Sequence, residues 1–90
     1  MLVLPVELTQ QQAAACSRML QQGLRSQPQS VVVADATALT RFDSSALAVL
    51  LECHRESLSQ GKTFAVKGLP PRLRELATLY GVAELLPAAA

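Results

Sequence analysis

"VVVADATALTRFDSSALAVLLECH", Val31 to His54, is the stretch that decides the fold. It opens on a β-branched run too short for a helix. Val31–Ala36 without polar alternation suits a strand covered on both faces, as in a parallel sheet, and is the candidate central strand. It closes on an uninterrupted apolar run, Ala46–Leu51, inside a segment from about Ser44 to Ser59 that reads as a helix stopped by Gly61. Between the two, after a connection through Leu39, come Asp43, Ser44 and Ser45. Asp43 or Ser44 can cap the helix by accepting from a free backbone N–H. That edge of an open α/β sheet, beyond the carboxyl ends of the strands, is also where binding surfaces form.

Working outward, Leu2–Leu4 reads as a short strand broken by Pro5. Thr9 and Gln12 stand at capping-box spacing and start a helix in which Ala13, Cys16, Leu20 and Leu24 recur on one face, ending near Ser26 to Pro28. Thr63–Lys67 reads as a further strand. Leu69, Pro70 and Pro71 announce a third helix, with Leu73, Leu76, Ala77 and Tyr80 on one face and Gly81 as its stop. The terminal Pro-Ala-Ala-Ala is expected to fray. Strands alternating with helices predict an α/β fold, a small sheet largely parallel in its core with helices packed against it. The N-terminus offers only one short strand, so the expectation is either a shortened sheet edge or a true start that lies upstream.

The chain has 90 residues, one domain over 1–90, and a chain of this length buries only about 60 to 65% of the surface its unfolded form exposes. Half of the residues are hydrophobic but only 3% are aromatic, so Leu, Val and Ala must build the core. A mean hydropathy of +0.26 leaves two readings open: a preference for Ala and Leu, or a surplus of apolar surface that a partner covers. Helix two poses the same question. Leu47, Leu50, Leu51, His54 and Leu58 make one face and Ala46, Val49 and Cys53 another, so one face packs on the sheet and the other meets a neighbouring helix or a partner.

A net charge of +1 without a basic run argues against a nucleic-acid surface. No apolar stretch reaches the roughly 20 residues of a membrane span, and MLVLPVE carries neither a basic lead nor a cleavage site, so a cytosolic location is expected without membrane insertion. Cys16 and Cys53 form no CxxC pair and read as small apolar fillers inside helices; no metal or cofactor is expected. Nor does a reaction centre emerge. A nucleophilic Ser44 needs a base, and the single histidine, His54, lies about 15 Å further along the helix. There is no G-x-S-x-G elbow, and Asp43 has no second carboxylate beside it. The chain is therefore expected not to be an enzyme, with His54 a partly exposed flank of the helix.

The run from Val31 to Glu52 resembles the core of the STAS domain, the family of sulfate transporters and anti-sigma factor antagonists: an apolar strand ending in Asp, a loop, Asp-Ser-Ser/Thr-Gly-Leu and an apolar helix. The likeness continues through "GKTFAVKGLPPRLRELATLYGVAELLP", Gly61 to Pro87, with Ala46 where the family usually has glycine. The ending "LATLYGVAELLP" is most similar to the MlaB branch, the cytosolic STAS subunit of a phospholipid ABC transporter that maintains outer-membrane asymmetry, although Gly81 stands where that branch has Asn. That resemblance implies an adaptor, peripheral at the cytoplasmic face of the inner membrane, that binds the transporter ATPase and through it the permease. The implied contact is Arg41, Phe42, Asp43, Ser44, Ser45 and Ala48, with Asp43 capping and orienting the loop and Leu47 and Leu51 anchoring helix two. The phosphorelay branch implies an alternative, an anti-sigma factor antagonist whose Ser44 is phosphorylated by an anti-sigma kinase. A phosphate there would sit on a helix N-terminus, which favours anions, and would repel an acidic or apolar partner.

Overall fold

A computed structural model describes residues 2–89. In chain order the elements are β1 (Leu2–Val3), β2 (Glu7–Leu8), α1 (Gln10–Ser26), β3 (Val31–Asp35), β4 (Arg41–Phe42), α2 (Ser44–Ser59), β5 (Thr63–Lys67) and α3 (Pro71–Leu79), followed by a 3-10 turn at Ala83–Leu85. The main sheet is parallel throughout, in the order β1-β3-β5 with β3 central, as the β-branched run predicts.

The helices start and stop for the reasons legible in their sequences. At the head of α1 the Gln12 side-chain oxygen accepts from the Thr9 N–H at 2.8 Å and from its hydroxyl at 2.6 Å. Pro71 occupies the first turn of α3, where its missing N–H costs nothing. Gly61 and Gly81 follow α2 and α3 with φ of 72° and 73°, the left-handed turn that glycine takes without strain.

A single core cluster joins Leu2, Val32, Ala34, Phe64 and Val66 from the sheet to Cys16, Leu20 and Leu24 of α1, Leu47 and Leu50 of α2, and Leu73 and Ala77 of α3. Ala46, Val49 and Cys53 are buried too, and α1 packs along α2, so the second apolar face of α2 is met by a neighbouring helix.

Several expectations need correction. The central strand is covered on one face only: Val32 and Ala34 are buried, whereas Val31 is 51% exposed and Val33 half-buried. The helices share the core with that one face, and the alternation inherent in a strand sends odd and even residues to opposite sides. The N-terminal region is short, but it holds two strands. Beyond Pro5, β2 pairs in parallel with β4, which places Glu7 opposite Arg41 and Leu8 opposite Phe42.

The end of the chain does not fray through Ala89. The Val66 N–H donates to the Pro87 carbonyl at 2.8 Å and the Ala89 N–H to the Val66 carbonyl at 2.9 Å, so Pro87–Ala89 lie along the outer edge of β5. Buried Leu86, whose carbonyl accepts from Arg74, pins that tail; Ala90 lies outside the described residues. Finally, Leu58 and Tyr80 are exposed rather than packed, because each falls in the last turn or cap of its helix, past the end of the layer it would face. Exposed large apolar side chains stand on the open sheet face, at Val3 and Val31, at the end of α3 and after it, at Leu79, Tyr80 and Leu85, and singly at Val6, Met19 and Leu58.

Candidate functional site

The motif loop leaves β4 and enters α2 at Asp43, whose extended backbone (φ −128°, ψ −166°) turns its side chain back over the first turn of the helix. Asp43 Oδ1 accepts from the Ser45 N–H at 2.8 Å, the N-cap bond that the sequence anticipates. The other oxygen, Oδ2, accepts from the Gln10 N–H at 3.1 Å, the first residue of α1. One carboxylate therefore joins the N-termini of two helices. The Ser45 bond chiefly, and the Gln10 bond beside it, hold the carboxyl below its ordinary value of 3.8, since both donors favour the ionised form.

The remaining motif residues divide by exposure. Arg41 on β4 is exposed, as are Ser44 and Ala48, which lie one helical turn apart on one side of α2. Ser45 is half-buried, and so is Phe42, which packs against the core. Leu47 is buried and Leu51 half-buried against the same core, the anchoring arrangement the sequence implies. Further along the exposed side, Arg55 pairs with Glu52, one turn before it on α2.

A second aspartate caps a turn after β3. Asp35, the last residue of β3, accepts through Oδ1 from the Thr37 N–H at 2.9 Å and from the Thr37 hydroxyl. These bonds, with a smaller contribution from the Lys67 ammonium, hold the Asp35 carboxyl below its ordinary value as well. The Gln10 contact is what sequence reasoning missed. Nothing in the spacing of two residues 33 positions apart announces that a helix start and an N-cap meet.

His54 is half-buried and meets Phe64 edge to face, with ring centroids 5.9 Å apart. It belongs to the contact between α2 and β5, and not to the tip. Cys16 and Cys53 are buried free thiols. Burial pushes both upward, Cys53 to about 11, which keeps them protonated at neutral pH. Among the described residues no group of three His, Cys, Asp or Glu side chains could hold a metal ion, and no helix is long and apolar enough to cross a membrane. A cavity of about 300 Å³ lies elsewhere, lined by Thr78, Gly81, Ala83 and Glu84 at the end of α3.

The same fold occurs in a solved structure, the "sulfate transporter family protein from Wolinella succinogenes", with a TM-score of 0.70 over 93% of this chain and 67% of that one. At 15% identity the likeness speaks for the fold alone. Among curated proteins, none matches the sequence. The parallel three-stranded sheet with helices packed against it defines a small α/β domain. Residues 1–87 match the sequence profile of the family described as "Mlab, STAS domain", and the chain belongs to that family. STAS domains are in general regulatory modules that act on partner proteins.

Proposed function

We propose that this chain is a one-domain, non-enzymatic adaptor that binds the ATPase subunit of an ABC-type phospholipid transporter maintaining outer-membrane lipid asymmetry. It works in the cytoplasm at the inner membrane and reaches the permease only through the ATPase. The contact is the loop Arg41–Ser45 with the exposed side of α2. The observation that carries this reading is the exposed Ser44–Ala48 side of a helix tip whose loop is tied down on both flanks, in a chain of the MlaB-type family. A rigid, small-residue tip suits docking, because little conformational entropy is lost when a partner closes over it.

Ser44→Glu places a bulky charge at the centre of that contact and touches no core residue. Co-expressed with the transporter ATPase, the wild-type chain is expected to co-purify and Ser44→Glu is not, with an unchanged circular dichroism spectrum. Co-purification of Ser44→Glu at wild-type yield would remove the site assignment. Failure of the wild-type chain to bind any transporter ATPase would remove the adaptor reading.

A second reading, the anti-sigma factor antagonist, draws support from the same exposed hydroxyl at the first position of α2, where a phosphate would meet the positive end of the helix. It calls for stoichiometric phosphate on Ser44 after incubation with a cognate anti-sigma kinase, measured by intact mass. An unmodified mass would count against it.

A further inference from the structure

The segment ahead of α1 holds the motif loop along its whole length. The Val6 carbonyl accepts from the Thr40 N–H at 2.9 Å and from the Arg41 N–H at 3.1 Å. Glu7 and Leu8 then pair with Arg41 and Phe42. At the end of this seam the Gln10 N–H donates to Asp43 Oδ2. Gln10 is the first residue of α1, so its N–H has no partner within the helix and finds one on the carboxylate at the head of another helix.

We infer that Gln10 is a positioning residue for the docking tip: its backbone N–H, by engaging Asp43 from α1, fixes the direction in which α2 presents Ser44. The inference rests on the docking reading above. The bond from Ser45 ties Asp43 only to its own helix, and the β2–β4 pairing holds the loop up to Phe42. The bond from Gln10 ties the same carboxylate to α1 and so to the core, through Cys16, Leu20 and Leu24. With both bonds in place the Asp43 carboxylate links the start of α2 to the start of α1. The charged residues on the strands beside Asp43 are Glu7 on β2 and Arg41 on β4, and its carboxylate takes its hydrogen bonds from backbone N–H groups of Ser45 and Gln10.

Gln10→Pro tests this, because it deletes the one donor at the helix position where proline is favoured. Thr9 already has the extended backbone that a following proline requires, with φ −110° and ψ −175°. The expected result is a folded chain whose affinity for the transporter ATPase falls by about tenfold, the weight of one charge-assisted hydrogen bond. In the same variant the Asp43 carboxyl, followed by NMR, should titrate closer to the ordinary aspartate value. Gln10→Ala keeps the N–H and should match the wild type in both measurements.

If Gln10→Pro does not fold, Asp43→Asn serves in its place, since the amide keeps one oxygen for Ser45 and turns a donor toward Gln10; it should weaken binding by a similar factor. In a folded pair, the double variant should bind no worse than either single one, as members of one bond do. Wild-type affinity in Gln10→Pro, or in Asp43→Asn, with Ser44→Glu inactive would overturn the positioning role and leave the docking reading standing. Wild-type binding by Ser44→Glu would overturn the docking reading and this inference with it, whereas an unmoved Asp43 titration in Gln10→Pro would overturn the bond itself.

Discussion

Gly68 lies against Thr37 so closely that a β-carbon on Gly68 would stand 2.5 Å from the Thr37 hydroxyl oxygen and 3.1 Å from its α-carbon. The backbone of Gly68 is also left-handed, with φ of 68°. The turn after β5 is thus packed on the Asp35–Thr37 turn after β3, and only a residue without a side chain fits there. Gly61 has a similar φ but nothing within 4 Å of its would-be β-carbon. Gly61→Ala should therefore cost about 1 kcal/mol, the left-handed penalty alone. Gly68→Ala should cost about 2 to 4 kcal/mol, with the clash added. Urea denaturation of the two variants checks the difference.

Acid should unfold the protein partly through its two capping aspartates. Asp35 and Asp43 are both held below the ordinary value of 3.8 in the folded chain. A carboxyl depressed on folding adds stability that is fully present above its unfolded value and is lost as pH falls through the folded one. The urea midpoint of the wild type should be insensitive to this pair above about pH 5 and should decline below pH 4. Asp35→Asn and Asp43→Asn should each flatten that decline, and a wild-type curve without slope between pH 4 and 2 would contradict the assignment.

Lys62 closes the other end of α1. Its ammonium donates to the Leu24 carbonyl at 3.1 Å, beside the Gln27 N–H that the same oxygen accepts, and to the carbonyl of the C-cap residue Gln27. Lys62→Met keeps the apolar stem and removes both bonds, so a loss of about 1 to 3 kcal/mol is expected in chemical denaturation. Lys62→Arg should recover part of it.

The thiols offer a measure of opening. Cys16 and Cys53 are buried and their pKa values raised, so a thiol reagent at pH 8 should label neither in the folded chain and both after denaturation. The native labelling rate then reports how often α1 and α2 separate. Fast labelling under native conditions would show that their contact is looser than the packing of Cys16 and Cys53 implies.

Much of the fold was legible where local chemistry is self-sufficient. The β-branched run at Val31, the capping pair Thr9 and Gln12, the proline at 71 and the glycines at 61 and 81 act within a few residues of themselves, and each element stands where they put it. Helical spacing puts Ser44 and Ala48 on one side of α2, but that this side is the exposed one was decided by what packs on the others. Leu58 and Tyr80 follow the same spacing and are exposed nonetheless, since periodicity gives the direction of a side chain but not whether anything lies in that direction.

By itself, then, the sequence determined the three helices, the strands at Leu2, Val31 and Thr63 and a small polar cap at the head of α2, all of which depend on neighbours in the chain. Tertiary structure alone decided that Gln10 reaches Asp43, that β2 pairs with β4 beneath the motif loop, that Gly68 abuts Thr37 and that the tail lines the edge of β5. These contacts join residues far apart in the chain through backbone groups, and a backbone N–H or carbonyl is the same in almost every residue, so no pattern of side chains announces them.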